Sequence, residues 1–204
     1  CWCYLRRALR RDDARRLLIM ASTTGRLLVA TPPMDDPNFE RSVILMLNHN
    51  DEGAFGLVIS RPTEVDSFGD DGALDDWITH ASTPSVFFEG GPVQQNSVIG
   101  LARFTDNAER PWASAVGAGL HTVDLNSDGT NGLECVAMRL FVGYSGWGPF
   151  QLDAEIADDH WFVLDAQPAD AFDSEPETMW RRVLEREPIH REWVRNFPDD
   201  PNLN

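Results

Sequence analysis

Short apolar runs follow one another along most of this chain, separated by glycine, proline and asparagine rather than by helices. Such runs with turn residues between them are typical of strands joined by hairpins. The pattern predicts strands over residues 26–31, 42–49, 54–61, 86–89, 97–104, 120–125, 133–142 and 161–164. Because short connections join antiparallel neighbours, this order predicts an α+β fold whose sheet is mainly antiparallel.

Helical patterns are few. The sequence predicts helices over residues 178–186 and from Pro149 onward, with shorter helical segments after Asp36 and around Trp77. No segment repeats at a fixed period, and no linker is long enough to divide the chain. We therefore expect a single domain, with a few helices flanking the sheet.

Two stretches set the expected centre of the sheet. Turn residues at 50–53 predict that 42–49 and 54–61 pair as a hairpin. Residues 133–142 form the longest apolar run and are predicted to be a central strand, followed by a glycine-rich corner over 143–148. The segment around Pro111 is expected to be irregular.

The charge balance disfavours several classes of function. The 33 acidic residues outnumber the 17 basic residues, every one of them arginine, for a formal net charge of −16. Nucleic-acid binding and attraction to anionic membranes both depend on basic side chains, so neither partner is expected. The chain also has no apolar stretch long enough to span a bilayer.

The arginines are unevenly placed along the chain. Residues 1–19 hold six of them and two acids, which leaves the remainder with a net charge of −20. We divide the chain into an arginine-rich extension (1–24), a folded domain (25–187) and a tail (188–204). The extension is interpreted as a disordered segment or as sequence upstream of a natural start at Met20. An interaction arm and an amphipathic surface helix remain alternatives.

Cysteine usage indicates the compartment. Beyond the extension Cys135 is the only cysteine, so the domain is expected to hold no disulfide. Cys135 lies in an apolar run and is predicted to be a small core residue rather than a reactive thiol. We expect a cytoplasmic protein.

Several motifs, in order and spacing, resemble the bacterial YqgE/AlgH family. They occupy residues 25–28, 30–32, 34–43, 49, 53–58, 61–62, 90–93, 143–147, 151–152, 155–156 and 161. The resemblance implies a compact α+β domain on a mainly antiparallel, partly barrel-like sheet. It brings no established reaction, cofactor or catalytic residue, although some members are labelled transcriptional regulators.

This sequence departs from the family pattern after residues 90–93. Relatives commonly carry a Leu-His pair a few residues further on, whereas residues 98–103 here contain no histidine. Any role of that histidine is therefore absent, or has moved to another position such as His121.

The corner at residues 143–147 could carry a nucleophile. A strained turn between a strand and a helix exposes the serine of an α/β-hydrolase, and Ser145 has that predicted context. The motif requires glycine at its fifth position, where Trp147 stands, and the chain supplies no convincing acid and histidine after Ser145. We favour a structural corner with Trp147 packed beneath it.

Anion binding is a second candidate chemistry. Gly90 and Gly91 could present backbone N–H groups to an anion, although a structural turn is the favoured interpretation. Pairing of 42–49 with 54–61 could bring Arg41 and Arg61 together, with His49 in the same group, as a positive spot for a carboxylate or phosphate. Ion pairs with Asp35, Asp36 or Glu40 are the favoured alternative.

A calcium loop is weakly suggested. Residues 124–129 match its opening, but Cys135 stands where the closing carboxylate should be and the flanks are predicted strands. A hairpin loop explains the same residues, so no metal or cofactor is expected.

Three functions remain. The leading hypothesis is a non-enzymatic binding or regulatory domain that acts through contacts with a protein partner. The second is a small enzyme, or a metabolite or anion binder, with a cleft near residues 143–151. The third is a transcriptional regulator, which the acidic composition disfavours.

Overall fold

The computed structural model describes residues 22–65, 74, 77–106, 108–127 and 135–188, so the extension through residue 21 and the tail from residue 189 lie outside the described residues. The strands are β1 (Arg26–Ala30), β2 (Val43–Asn50), β3 (Gly53–Val58), β4 (Phe88–Glu89), β5 (Val93–Phe104), β6 (Ala113–Gly117), β7 (Leu120–Val123), β8 (Cys135–Trp147) and β9 (Trp161–Asp165). The helices are α1 (Gln151–Ala157) and α2 (Met179–Arg186). Two single 3₁₀ turns, Asp170–Phe172 and Pro176–Thr178, precede α2.

The strands form one mainly antiparallel sheet, which confirms the predicted fold class. Eight of them follow the order β6-β7-β5-β8-β3-β2-β1-β9, and β4 lies off this path, parallel to β8. The sheet curls until β6 approaches the start of β1: a Cβ placed on Gly25 would lie 3.0 Å from the Val116 carbonyl oxygen. The result is a half-barrel.

A continuous apolar core fills the concave side of the half-barrel. Leu27, Leu45, Leu57 and Phe141 from four neighbouring strands pack there with the apolar stripe of α2. Within that helix, the indole N–H of Trp180 donates to the Ala30 carbonyl at 2.7 Å. Because Ala30 is the last residue of β1, α2 closes the end of the half-barrel at which β1 finishes.

Two smaller cores cover the convex side. One lies beneath α1 and includes Ile44, Met46 and Trp147. The other lies beneath the helical residues 74, 77 and 78, where the buried Trp77 donates its indole N–H to the Leu125 carbonyl at 3.0 Å. The helical character predicted around Trp77 is thus present.

The β4 segment lies between β3 and β8 where these two strands separate. The Val58 N–H donates to the Gly90 carbonyl at 2.9 Å, and the Gly90 N–H donates to the Val142 carbonyl at 2.8 Å. β3 and β8 pair directly only over residues 54–56 and 145–147. At this junction β3 and β8 therefore stop pairing with each other, and each pairs with the β4 segment instead.

Arg139 of β8 ties the chain before α2 to the sheet. Its guanidinium is buried, lies 4.1 Å from the centre of the Phe88 ring, and donates to the carbonyls of Thr83, Ala171 and Asp173. Burial disfavours the charged form and lowers the pKa of Arg139 to about 10, against a smaller opposing effect of the Asp173 charge. The three carbonyls replace the hydration that the two terminal nitrogens lose, whereas the buried Nε has no hydrogen-bond partner among the described residues.

Three local predictions are wrong. The expected corner at 143–148 is strand through Trp147, because residues 145–147 pair with β3 and the glycines allow close backbone contacts instead of a turn. The expected irregular segment contains the strand β6, whose small residues lack the β-branched signal of a strand. After Asp36, the Glu40 N–H donates to the Asp36 carbonyl at 2.7 Å, a single turn in place of the short helix.

Candidate functional site

The open end of the half-barrel lies opposite α2. Arg41, just before β2, places its guanidinium 5.6 Å from the centre of the Trp180 ring of α2. β2 then runs eight residues, from Val43 to Asn50. At a rise of about 3.3 Å per residue, its far end lies roughly 25 Å from the α2 end. We call this open end the mouth.

The mouth contains a cleft of about 580 Å³, within the range of ligand-binding clefts. Its apolar walls are Phe55, Val93, Ile99 and Tyr144. The rings of Phe55 and Tyr144 meet edge to face, with centroids 6.1 Å apart, and Phe55 is 37% exposed. Tyr144 and Ile99 also pack against the inner core, so the cleft is the solvent-facing continuation of that core.

A β-bulge in β2 determines which side chains face the cleft. Met46 pairs with Gly56 but Asn48 pairs with Phe55, so Leu47 is an extra residue in β2. An extra residue reverses the alternation of side chains beyond it. Asn48 and Asn50 therefore line the mouth, whereas His49 faces the convex side and α1.

The polar groups of the cleft suit a neutral or cationic ligand. Asn48, Asn50 and Glu52 line it, and the Asn50 side-chain oxygen accepts the Glu52 N–H at 2.9 Å. Among the described residues that line the cleft there is no arginine or histidine. A carboxylate or phosphate would find no opposite charge here, whereas an apolar group with hydrogen-bonding capacity would find partners.

Beneath the mouth, His49 links the start of the fold to α1. The Thr23 N–H lies 3.3 Å from His49 Nδ1, and His49 Nε2 lies 3.5 Å from an Asp153 carboxylate oxygen. A backbone N–H can only donate, so Nδ1 is an acceptor and the ring proton is on Nε2, toward Asp153. Thr23 Oγ1 is 3.1 Å from Nδ1, but Thr23 is only 3% exposed, so its hydroxyl faces no substrate. Because of these contacts, Thr23 is part of the folded domain, two residues before the domain start predicted at residue 25.

A second carboxylate fastens α1 to the sheet. One oxygen of Glu155 accepts the indole N–H groups of Trp147 and Trp161, each at 2.8 Å. Its other oxygen accepts the Gln151 amide at 2.9 Å. Phe39 contacts both indoles, with ring centroids 6.2 Å from Trp147 and 5.6 Å from Trp161. Trp147 is thus packed as expected, although in a strand rather than under a corner.

Ser145 and the glycine pair meet at the junction of β3, β4 and β8. Ser145 is fully buried, and its hydroxyl donates to the Gly90 carbonyl at 3.2 Å. Gly91 crosses β8 so closely that a Cβ would lie 2.5 Å from Ser145 Oγ. Ser145 is therefore not the exposed nucleophile of an elbow, and the Gly90 N–H is already bonded within the sheet.

The predicted group of Arg41, His49 and Arg61 does not form one site. His49 lies near the mouth, whereas both arginines lie at the α2 end of the β2–β3 hairpin, because the hairpin is extended between them. Arg61 donates to the carbonyls of Asn38 and Glu40 at 2.7 and 3.0 Å, while Arg41 lies over Trp180. Arg61 binds backbone oxygens of the preceding loop rather than the side chains expected.

The suggested calcium loop is only partly described. Asp124 accepts the Asn126 N–H at 3.0 Å in a local turn, and residues 128–134 lie outside the described residues. Over the described parts of the chain, no three His, Cys, Asp or Glu side chains are grouped as metal ligands. None of the described helices has the length and apolar content needed to cross a bilayer.

Most of the mouth could not be predicted from the sequence. Asn48 and Phe55 lie in predicted strands and Tyr144 lies in the predicted corner, and only the bulge and the curl place the three on one surface. Thr23, Asp153 and Glu155 were also missed. The sequence does carry a signal for Glu155. Gln151 and Glu155 are four residues apart, a spacing that places them on one face of a helix, and two tryptophans are nearby in the chain.

Comparisons with known proteins identify relatives over nearly the whole described domain. Residues 27–192 match the AlgH-like family. A UPF0301 protein of Streptomyces coelicolor is 44% identical over 191 residues, covering 91% of this chain and 97% of the relative. A UPF0301 protein of Thermobifida fusca is 42% identical over 194 residues, covering 90% and 96%.

Two solved structures share the fold. A crystal structure of a Corynebacterium diphtheriae protein matches with a TM-score of 0.77 and 29% identity, covering 85% of this chain and 92% of that chain. The solution structure of the AlgH protein from Pseudomonas aeruginosa matches with a TM-score of 0.63 and 27% identity, covering 87% and 95%.

Proposed function

The chain belongs to the AlgH-like family, and on this premise we propose that it is a non-enzymatic, cytoplasmic binding domain that receives an apolar group of a protein partner in the mouth. The observation that carries the proposal is the cleft of about 580 Å³ with the Phe55–Tyr144 pair as its wall. Aromatic side chains beside a desolvated cleft are the usual anchors of protein contacts.

The contacts of the polar residues nearest the mouth favour binding over catalysis. Thr23 is buried, the Asp153 carboxylate faces His49, and the Glu155 carboxylate is shared between two indoles. These groups hold α1 against the sheet. The amides of Asn48 and Asn50, the Glu52 carboxylate and the Tyr144 hydroxyl remain as hydrogen-bonding groups in the cleft lining, and neither amide is a nucleophile or an acid–base group at neutral pH.

A small neutral metabolite is the second candidate for the same cleft. The lining of the cleft favours this candidate. Tyr144, Gly146 and Gly148 line the cleft, and they belong to residues 143–151, near which the sequence predicts a cleft for a small ligand. Arg41 and Arg61, the predicted positive spot, lie at the other end of the fold. An anionic metabolite is therefore not part of the proposal.

The test uses N-acetyl-L-tryptophanamide, a neutral stand-in for an apolar side chain on a backbone. Titration into the isotope-labelled chain is expected to shift the amide NMR signals of Asn48, Phe55 and Tyr144 in a saturable way. Phe55→Ala should weaken binding about tenfold, since an anchoring aromatic carries that much of an interface. The exposed Val136, far along β8, provides the matched control Val136→Ala, which should bind like the parent chain.

Two results would contradict the proposal. One is equal binding by Phe55→Ala and the parent chain. The other is a set of shifts centred on the second cleft, about 560 Å³ in volume, which is lined by Pro62, Pro84 and Pro176.

A further inference from the structure

Phe150 combines two features that are unfavourable for a large apolar residue. It is 68% exposed, the largest exposure among the large apolar residues of the described chain. Its backbone is left-handed, with φ 60° and ψ 1°, a conformation that favours glycine and is strained for a bulky side chain. Residues held in such conformations cluster at functional sites.

Phe150 lies beside the mouth. It occupies the turn between Gly148, which lines the cleft, and Gln151, the first residue of α1. The Gln151 N–H donates to the Gly148 carbonyl at 3.1 Å, and the Gly148 N–H donates to the Gln151 side-chain oxygen at 3.1 Å, so this turn is held from both sides. On β5, Gln94 follows the cleft residue Val93 and also has positive φ, at 50°. Among the five described non-glycine residues with positive φ, Gln94 and Phe150 are the two that lie within two residues of the cleft lining.

The charge around Phe150 and the mouth is negative. Asp51 and Glu52 are exposed in the turn that borders the cleft, and the first turn of α1, directly after Phe150, carries the acidic residue Asp153. The chain as a whole has a net charge of −16. A second copy of the same chain would bring like charges together, whereas a basic partner would be attracted to the mouth.

We propose that Phe150 and the mouth together bind a basic segment of another protein, with an apolar side chain of that segment in the cleft and its flanking lysine or arginine side chains toward Asp51 and Glu52. This inference rests on the proposed function, because it names the partner of the same cleft. The exposed ring of Phe150 adds apolar contact area at the edge of the bound segment.

The probe is a nine-residue peptide with a central tryptophan, two lysines on each side and glycine and serine elsewhere, labelled with a neutral fluorophore. Two matched peptides replace the lysines by glutamates, or the tryptophan by serine. Fluorescence anisotropy with the full chain at 0.15 M salt is expected to give at least about tenfold tighter binding of the first peptide than of either control. Raising the salt concentration should weaken that binding.

Phe150→Gly separates a binding role from a structural one. Glycine adopts the left-handed conformation without strain, so the melting temperature should stay the same or rise. Peptide affinity should nevertheless fall, by about fivefold or more. Glu52→Gln should also weaken binding, whereas the matched change Glu64→Gln, at an exposed acid near the α2 end, should not.

The possible outcomes distinguish the two proposals. Equal affinity for the lysine and glutamate peptides, or parent-like affinity of Phe150→Gly, would overturn this inference even if N-acetyl-L-tryptophanamide still binds at the mouth. If neither that compound nor any of the peptides perturbs the mouth, the proposed function fails together with the inference.

Discussion

At the residue scale, Glu155 joins α1 to the strands β8 and β9. Its carboxylate accepts two indole N–H groups at 2.8 Å and one amide at 2.9 Å. Hydrogen bonds to a charged acceptor are stronger than neutral ones, and removing the acceptor leaves partly buried donors unpaired. The stability of the fold should therefore depend strongly on this one side chain.

Glu155→Ala is expected to lower the free energy of unfolding by about 3 kcal/mol, and Glu155→Gln by about 1 kcal/mol because the amide oxygen still accepts. Urea unfolding followed by circular dichroism measures both values. Glu177, an exposed glutamate near α2, supplies the control Glu177→Ala, which should change stability by less than about 0.5 kcal/mol. A Glu155→Ala chain as stable as this control would contradict the assigned role.

His121 of β7 gives the fold a sensitivity to acid. Burial lowers the pKa of its imidazole, and the positive charge of Arg110 lowers it further. The folded state then binds a proton less readily than the unfolded state, so stability falls as the pH drops below about 6.5, the ordinary histidine value. Its Nδ1 is buried without a hydrogen-bond partner among the described residues, which agrees with this direction.

His121→Gln is therefore expected to reduce the loss of melting temperature between pH 7.5 and pH 5. The exposed His160 provides the comparison His160→Gln, which should keep the full loss. Thermal unfolding at several pH values measures the difference. Parallel curves for the parent chain and His121→Gln would rule out this assignment.

At the scale of elements, β8 depends on glycine for contact rather than for turning. Gly143 has φ 69°, and a Cβ there would lie 2.5 Å from the Gly91 carbonyl oxygen and 2.8 Å from that of Val93. Gly119, in the turn between β6 and β7, has nearly the same φ, 73°, but open space around the Cβ position. Substitutions at these two glycines therefore distinguish the cost of backbone strain, which both positions share, from the cost of steric contact, which only Gly143 has.

Gly119→Ala is expected to cost about 1 kcal/mol from the left-handed backbone alone. Gly143→Ala adds a clash with the carbonyl oxygens of Gly91 and Val93 and should cost at least about 3 kcal/mol, or prevent folding. Chemical denaturation of the two variants provides the comparison. Equal losses of unfolding free energy in the two variants would mean that the segment around Gly91, which crosses β8, can move away from residue 143.

At the scale of the whole molecule, charge decides which partners can approach. Without residues 1–19 the chain has a net charge of −20, and nucleic-acid binding depends on basic side chains that displace counterions. A form beginning at Met20 should therefore show no binding to a mixed-sequence DNA duplex at about 10 μM protein and 0.15 M salt. Fluorescence anisotropy with a labelled duplex makes this measurement.

The full chain serves as the comparison in that experiment. Binding by the full chain alone would assign the interaction to the six arginines of the extension. Saturable binding by the form beginning at Met20 would instead support the transcriptional-regulator hypothesis and contradict the charge argument.

The strands were predictable where their signals are local. The runs around Leu45 and Leu57 are apolar and bounded by turn residues, and both became paired strands in the expected hairpin. Ala113–Gly117 lacks such a signal, since its small residues become a strand only by pairing with β7. Likewise, Ser145 to Trp147 remain in β8 because β3 pairs with them, despite the three glycines over 143–148 that favour a corner.

The antiparallel α+β class and the family resemblance follow from local signals, because periodicity, turn residues and motif spacing are properties of neighbouring residues. The mouth is a product of long-range contacts. The bulge at Leu47 turns Asn48 toward the cleft and His49 away from it, and the curl of the sheet brings Tyr144 to Phe55. Register and curvature depend on pairings between distant segments, whose energies are not encoded in any one stretch of the chain.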